Sequence, residues 1–259
     1  MSIHPTAVVS KNAELAQDVE VGPFVVIEGA VVLRSGVSVG SHAVLKGPMV
    51  VGEGTRVFHH AVIGEDPQDL KYKGEATRLE IGQRNTFREF STAHRGTAAG
   101  KGGGVTRIGD DNLFMAYSHV AHDCIVGSQC IMSNCTALAG HVQLGDWVIL
   151  SGYSAIHQFC KIGSHAFLAN NAAVTRDVPP YLLVAGSPAE PKGVNSEGLK
   201  RRGFNPGQIA NIKGAYRLFY RSGLKLAEAT AELKALVPTQ TEIAPFVDFL
   251  AASERSIIR

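Results

Sequence analysis

The feature that most constrains this chain is an apolar residue at every sixth position. From Ile3 to Ile63 the count by sixes meets only aliphatic residues. The series resumes at Ile81 after one interruption and at Ile108 after a second, and then runs to Val174. A period of six differs from the alternation of a half-exposed strand and from the 3.6-residue period of a helix. It is typical of a parallel β-helix, in which stacked coils of short strands build the core.

The spacing of the glycines indicates the length of one coil. Glycine often follows the aliphatic residue, and pairs such as Val126-Gly127, Leu144-Gly145 and Ile162-Gly163 recur every eighteen residues. One coil therefore holds three hexapeptides and forms a triangular prism, with glycine serving the corner turns that other residues resist. Residues eighteen apart should stack in one column. The sequence predicts this prism over residues 1–186.

Two segments depart from the repeat and are predicted to leave the wall as loops. In residues 66–78, Asp69 and Glu75 stand where the count requires aliphatic residues, yet Ile81 is in phase again. The second segment, Gly96–Gly104, is rich in glycine and shifts the phase. It lacks the residue order and the strand-to-helix context of a phosphate-binding loop, so we predict an excursion loop.

The period becomes helical beyond the prism. A linker is predicted over residues 186–198, and the run Asn205 to Gln208 then offers a cap residue, a proline at the first helical position and a glutamine at the third. Helices are predicted from Pro206 to about Gly223, over residues 226–237 and over residues 243–252. Residues 187–259 are thus expected to form a small helical domain that covers the end of the prism.

The bulk composition limits the classes of partner and compartment. The 259 residues are 45% hydrophobic and 19% charged with a net charge of +2, which argues against the basic field of a nucleic-acid-binding protein. Neither a signal peptide nor a stretch long enough to span a membrane is evident, so we expect a cytoplasmic protein with no transmembrane segment. The four cysteines lack paired spacing and are expected to be reduced.

Chemistry-bearing side chains are concentrated in one part of the prism. They are His119, His122, Asp123, Asn134, His141, His157, Gln158 and His165. The column count places His122 with Gly140 and Gln158, and it places Asp123 beneath His141. A histidine base beside an unobstructed backbone N–H is what acyl transfer needs, because a hydroxyl must be deprotonated and an oxyanion stabilised.

The same residues leave other functions open. His119, His122 and His141 could form a three-histidine zinc site, as in a hydration enzyme of the carbonic anhydrase type on the same repeat. An acetyl-CoA-dependent acetyltransferase is a third possibility. A prism wall offers no deep pocket, so the site should lie in a cleft between the prisms of a cyclic homo-oligomer, and the three-sided column suggests three subunits.

Several segments resemble the acyl-[acyl-carrier-protein]–UDP-N-acetylglucosamine O-acyltransferases, the family that begins lipid A (lipopolysaccharide) biosynthesis. The resemblance covers essentially the whole chain, and its most specific segments are Gln68–Tyr72 and Glu197–Phe204. The others are His94–Thr97, Ala121–Cys124, Ala139–His141, His157–Cys160 and Asp177–Tyr181.

The resemblance implies a left-handed β-helix, a homotrimer, and transfer of an (R)-3-hydroxyacyl group from the phosphopantetheine of acyl carrier protein to the 3-hydroxyl of UDP-N-acetylglucosamine. It implies no cofactor and no metal. His122 would be the general base, Asp123 would orient it, and the Gly140 N–H would bind the thioester oxyanion. Asp69, Lys71, His141 and Gln158 match positions that contact the sugar or the acyl hydroxyl, with His119 and His157 nearby. Asn195, Glu197 and Arg202 match the uridine and phosphate contacts, and Arg201 is a further candidate for substrate binding.

Two further positions and one surface bear on substrate detail. Asn170 matches a glycine of members that take long chains. Asparagine is bulkier and polar, so it should end the acyl groove early. We therefore expect an acyl group of about ten to twelve carbons, since each methylene buried in an apolar groove adds to the binding free energy. Pro188 stands where some members carry a histidine near the nucleotide, which puts one nucleotide contact in doubt. Lys213, Arg217 and Arg221 form a basic stripe on the first tail helix, either an acyl carrier protein dock or a solvated face.

Overall fold

The computed structural model describes residues 2–98, 103–253 and 255–259, and the prism of the sequence analysis is its main body. Three sheets form its walls, and every strand except the last pairs in parallel with the equivalent strand one coil away. The first sheet contains β1 Ser2–Ile3, β4 Glu20–Val21, β7 Ser38–Val39, β10 Arg56–Val57, β13 Thr86–Phe87, β16 Leu113–Phe114, β19 Ile131–Met132, β22 Ile149–Leu150, β25 Phe167–Leu168, β27 Leu182–Ala185 and β28 Glu190–Val194.

The other two walls have the same construction. The second sheet contains β2 Val8–Val9, β5 Val26–Glu28, β8 Val44–Lys46, β11 Val62–Glu65, β14 Thr92–His94, β17 His119–Val120, β20 Ala137–Leu138, β23 Ala155–Ile156 and β26 Ala173–Val174. The third contains β3 Glu14–Leu15, β6 Val31–Leu33, β9 Met49–Val51, β12 Arg78–Ile81, β15 Val105–Ile108, β18 Ile125–Val126, β21 Gln143–Leu144 and β24 Lys161–Ile162.

The core lies inside the prism and is built from the residues of the six-residue series. Val120, Leu138 and Ile156 are stacked in the second wall and are each almost fully buried. The rings of Phe87 and Phe114 stack at 4.5 Å in the first wall. Because every coil buries such residues against the next one, the hydrophobic effect stabilises the stack as a whole rather than any single coil.

Both predicted loops leave the wall where the repeat is interrupted. Val62 pairs with Thr92, and Thr92 with His119, so these two coils are 30 and 27 residues long instead of 18. The first loop spans residues 66–77, between β11 and β12. The second lies between β14 and β15, and its residues 99–102 fall outside the described part of the chain. Both loops emerge next to the second wall, near the polar cluster.

The tail begins differently from the prediction. The linker predicted over residues 186–198 is wrong, because β28 folds back antiparallel onto β27 and is followed by a short helix, α1 Ser196–Arg201. β28 is an edge strand that pairs only with β27 and belongs to no coil of the prism. Its sequence therefore does not carry the six-residue repeat by which the other strands are predicted. The added strand extends the first wall beyond the last full coil, and α1 follows it.

The predicted helices are confirmed, with ends within two residues. They are α2 Pro206–Arg221, α3 Leu226–Leu236 and α4 Ala244–Ala252, with a 3₁₀ turn at Thr241–Ile243. Asn205 and Gln208 form the predicted capping box of α2. Residues after α4 return to the prism, where Ile257 bridges to Asp177. Within the described residues, no helix has the length and apolar character needed to cross a bilayer.

Candidate active site

The corner between the second and third walls holds a hydrogen-bonded pair of catalytic type. His122 and Asp123 lie in the turn after β17, separated from it by Ala121, and His122 Nδ1 lies 2.9 Å from Asp123 Oδ2. The Asp123 side chain is fully buried, and that of His122 is 13% exposed. A carboxylate partner fixes the proton on Nδ1, which leaves Nε2 free to accept a proton. The geometry therefore suits a general base.

Asp123 is held in its ionised form by hydrogen bonds. Thr97 donates to Asp123 Oδ2 from its backbone N–H at 2.9 Å and from its hydroxyl at 2.8 Å. Burial by itself would raise the pKa of Asp123, but the hydrogen bonds from His122 and Thr97 outweigh it, and the pKa is lowered. Asp123 adopts a left-handed corner conformation, with φ of 58°, and its own N–H donates to Thr106 Oγ1 at 2.8 Å.

Gly140 lies one coil from His122, as the column count predicts, and the histidine ring covers it. A Cβ added at Gly140 would lie 2.5 Å from His122 Cε1 and 2.6 Å from Nε2, so a side chain there would displace the ring. The N–H groups on either side donate to Ile156 O at 3.1 Å and to His122 O at 3.0 Å. Within the described residues, the Gly140 N–H itself donates to no acceptor. It is a donor available to an oxyanion.

Two more histidines surround this pair, with different environments. The ring of His141 crosses that of His122 at 88°, and its Nε2 lies 3.7 Å from Asp123 Oδ2. Desolvation lowers the pKa of His141 and lowers the pKa of His119 to about 4, so both are neutral at pH 7. His119 Nδ1 bonds instead to Thr92 Oγ1 at 2.7 Å.

The three-histidine zinc set of the sequence analysis is not brought together. Among the described residues, the set with ligand atoms within 4.8 Å of one another is His122, Asp123 and His141, without His119. The oxygen of Asp123 nearest both rings already accepts hydrogen bonds from His122 and Thr97. This donor set is therefore committed to hydrogen bonding, which fits proton transfer better than metal binding.

The loop of residues 66–77 is fixed beside this corner. Arg95 is 5% exposed and donates to Gly64 O at 2.6 Å, and it also pairs with Asp66 in the loop. Within the loop, Asp69 Oδ1 accepts the Lys71 N–H at 2.9 Å. The negative charge of Asp69 reaches His141 and opposes the desolvation effect on its pKa. Asp69 and Lys71 can therefore meet a ligand at the His122 corner.

Gln158 lies one coil beyond Gly140 in the same column, and His157 precedes it in the chain. Both residues are exposed. The Gln158 carbonyl accepts a hydrogen bond from Arg255, a residue of the returning C-terminal segment. His157 Nδ1 lies 3.1 Å from that same carbonyl. The structure thus places these two predicted residues at the tail end of the His122 corner, where their side chains remain open to a ligand.

The residues predicted to bind the nucleotide lie on α1 or cap its ends, at a different corner of the prism. Asn195 caps α1 through Gly198 N–H at 3.1 Å and donates to His165 O at 2.9 Å. Glu197 pairs with Arg201 at 3.0 Å on the exposed side.

Arg202 is the notable cation of this second group. Its guanidinium lies 5.0 Å from the centre of the Trp147 ring, and desolvation lowers its pKa. Its Nη1 is buried and has no hydrogen-bond partner among the described residues. A buried, unpaired guanidinium nitrogen is costly, so this group is poised for an anionic or polar ligand.

The two groups do not meet within one chain. His122 and His141 lie at one edge of the third wall, and Trp147 lies at the other edge, with β21 between them. Sequence reasoning gave no role to Thr92, Arg95 and Thr97, although the resemblance included His94–Thr97. These residues hold His119, the loop and Asp123, respectively. Because the two insertions break the eighteen-residue count, it could not place segment 92–97 against this corner.

Comparisons with known proteins agree with one another. A family model described as "UDP N-acetylglucosamine O-acyltransferase; Domain 2" matches residues 177–258. The chain is 49% identical to the acyl-[acyl-carrier-protein]–UDP-N-acetylglucosamine O-acyltransferase of Thiobacillus denitrificans, over 100% of this chain and 99% of that protein. It is 50% identical to the enzyme of the same name from Paraburkholderia phytofirmans, over 99% of each chain.

A solved structure extends the likeness to the fold. The UDP-N-acetylglucosamine acyltransferase of Francisella novicida superposes with a TM-score of 0.96 at 42% identity, covering 99% of this chain and 94% of that one. The predicted fold class, a left-handed parallel β-helix with a C-terminal helical part, is thereby confirmed.

Proposed function

The chain belongs to the family of acyl-[acyl-carrier-protein]–UDP-N-acetylglucosamine O-acyltransferases, and we propose that it moves an (R)-3-hydroxyacyl group from acyl carrier protein to the 3-hydroxyl of UDP-N-acetylglucosamine. This reaction is the first step of lipid A biosynthesis. The observation that carries the proposal is the hydrogen-bonded pair of a partly exposed His122 and a buried Asp123. Beneath the histidine ring lies the Gly140 N–H, which has no acceptor among the described residues.

The mechanism follows from these three residues. Nε2 of His122 takes the proton of the sugar 3-hydroxyl while that oxygen attacks the thioester carbonyl. The charge that develops on the carbonyl oxygen is stabilised by the Gly140 N–H. The intermediate then expels the phosphopantetheine sulfur, which receives the proton from the imidazolium, so the base is restored. Asp123 keeps the proton on Nδ1 and stabilises the imidazolium in between.

The other residues of the corner orient the substrates. We assign these contacts with the sugar and the acyl hydroxyl to Asp69, Lys71, His119, His141, His157 and Gln158, whose side chains offer hydrogen-bond donors or acceptors. The reaction requires no redox step and no Lewis acid once a base and an oxyanion donor are present, so no cofactor is proposed beyond the phosphopantetheine of the donor. Asn195, Glu197, Arg201 and Arg202 are assigned to the nucleotide.

The separation of the two groups supports a homotrimer with shared sites. The His122 corner of one chain would face the Arg202 corner of the next, and a cleft between prisms would enclose both substrates. The outer face of the first wall carries a column of half-buried apolar residues suited to such packing, namely Leu113, Ile131, Ile149 and Phe167. We place the protein in the cytoplasm. We also divide it into a β-helix over residues 1–186 and a helical part over residues 187–259. The basic stripe on α2 of the helical part would bind acyl carrier protein.

Arg202→Ala should chiefly weaken binding of the UDP-sugar. Losing a hydrogen bond between the guanidinium and a charged or polar nucleotide group should raise KM for the UDP-sugar roughly 10- to 100-fold. The turnover number should change far less, because Arg202 does not touch the reacting atoms. Steady-state kinetics with the UDP-sugar varied, and the thermal midpoint, would be measured together.

The control for this prediction is Lys234→Ala, which removes an exposed cation from α3. That variant should keep the parent KM. If Arg202→Ala lowers the thermal midpoint but leaves KM unchanged, Arg202 serves packing against Trp147 and not the nucleotide.

The acyl length is proposed to be set by Asn170, which is exposed beyond the catalytic coils toward the tail. An amide there should end the acyl groove early and favour donors of about ten to twelve carbons, with each accepted methylene contributing about 0.8 kcal/mol. Asn170→Gly should move the preference toward longer chains in a competition among thioesters. A long-chain preference in the parent, or no shift in the variant, would remove Asn170 from this role.

Comparison of donors and of metal dependence tests the proposed function against its rivals. The purified protein should acylate UDP-N-acetylglucosamine from 3-hydroxyacyl carrier protein, with no dependence on added zinc and no loss on treatment with a chelator. Activity with acetyl-CoA instead would favour an acetyltransferase. Stoichiometric zinc together with CO₂ hydration would favour the carbonic anhydrase alternative.

A further inference from the structure

Asp123 is held by a residue that the roles assigned above do not include. Thr97 is 4% exposed and lies at the start of the second excursion, three residues after β14. Its N–H and its hydroxyl both donate to Asp123 Oδ2, at 2.9 and 2.8 Å. The same oxygen accepts Nδ1–H of His122 at 2.9 Å. One threonine therefore supplies two of the donors to the catalytic carboxylate.

We propose that Thr97 is a positioning residue of the acyl transfer: it keeps the Asp123 carboxylate charged and turned toward His122. The proposal rests on the proposed function, since it concerns the same base. Thr97 acts through Asp123, and its contacts are with the carboxylate and not with the ring that takes the proton. Its role differs from that of Thr106, whose hydroxyl accepts the Asp123 backbone N–H and so holds the corner and not the charge.

The rotation of the carboxylate depends on these contacts. Asp123 Oδ1 is buried and has no hydrogen-bond partner among the described residues. All the hydrogen-bond donors identified for this carboxylate therefore converge on Oδ2. Without the donors of Thr97, the orientation of the carboxylate would depend on His122 and on the more distant Nε2 of His141, 3.7 Å from Oδ2. A carboxylate that turns away leaves Nδ1 without its acceptor, and the ring loses the tautomer that presents Nε2 to the substrate.

The charge of Asp123 depends on the same contacts. A fully buried carboxylate tends to take up a proton, and hydrogen bonds to its ionised form oppose this tendency. Removing the Thr97 hydroxyl destabilises the ionised carboxylate, so a larger fraction of Asp123 should take up a proton as the pH falls, and His122 then loses its charged partner. The acidic limb of the kcat/KM profile should therefore move to higher pH.

Thr97→Val tests this with an isosteric change that keeps the backbone donor. We expect kcat/KM to fall about tenfold, the loss typical of one hydrogen bond to a charged group. The acidic limb should shift to higher pH, while KM for the UDP-sugar stays within about threefold of the parent, because Thr97 does not bind the nucleotide. Thr97→Ser should restore most of the rate and the parent pH profile.

Thr136→Val is the matched control, because Thr136 is equally buried but its hydroxyl donates to Ser133 O, at another corner. It should leave the acidic limb in place. An unshifted limb in Thr97→Val, a Thr97→Ser variant no better than the valine, or an equal shift in Thr136→Val would each overturn the inference. A parent inactive with acyl carrier protein thioesters would instead overturn the proposed function.

Discussion

His122→Ala should lower the turnover number by roughly 10²- to 10⁴-fold, the range expected when a general base is lost. The reason is that the Nε2 atom above Gly140 is then absent, and the sugar hydroxyl must lose its proton to water. Folding and affinity for the UDP-sugar should stay close to the parent, because the His122 side chain is partly exposed and packs against a glycine. Rate measurements at saturating substrate and binding measurements on the same samples would separate the two effects.

His4→Ala is the control for this substitution, since His4 is exposed on the first coil and its ring bonds to Thr6 nearby. It should retain the parent rate. Activity of His122→Ala within a few-fold of the parent would remove His122 from the mechanism.

Gly140→Ala should be nearly as damaging, although it adds only a methyl group. The new Cβ would lie 2.6 Å from His122 Nε2, closer than any real contact of such atoms, so the ring must leave its place over the N–H. A displacement of about 1 Å in a reacting group can cost about 10²-fold in rate. We therefore expect the turnover number to fall at least about 10²-fold, although His122 and Asp123 themselves are unchanged.

The matched control is Gly214→Ala on α2, where an added Cβ meets no atom within 4 Å. Alanine should stabilise that helix by about 0.5–1 kcal/mol and leave the rate unchanged. A Gly140→Ala variant with the parent rate would show that His122 does not need its place above Gly140. A crystal structure of the variant would show directly where the ring has moved.

Much of the fold could be predicted because the repeat is a direct physical consequence of the stacking. A residue that faces the core in one coil must be followed eighteen residues later by another, so the column containing His122 and Gly140 follows from counting alone. The same logic explains the capping of α2, where Asn205 and Gln208 satisfy N–H groups that every helix leaves free. Local rules of this kind need no tertiary information.

The rest could not be predicted because it depends on where the repeat is broken. Thr97 and Arg95 follow an insertion, so the count no longer states which residues they face. The strand β28 was missed because an edge strand carries no periodic signal. The burial of Arg202 against Trp147 joins a tail helix to a prism corner, and no sequence spacing records such a contact.

The most direct test of the account is the identity of the product. Purified protein would be incubated with UDP-N-acetylglucosamine and an (R)-3-hydroxyacyl carrier protein, and the sugar nucleotide would be analysed by mass spectrometry and NMR. We predict one acyl ester on the 3-hydroxyl of the sugar and one free carrier thiol per ester, formed by the parent and not by His122→Ala in the same time. Release of free fatty acid without an ester, or equal ester formation by both proteins, would contradict the account.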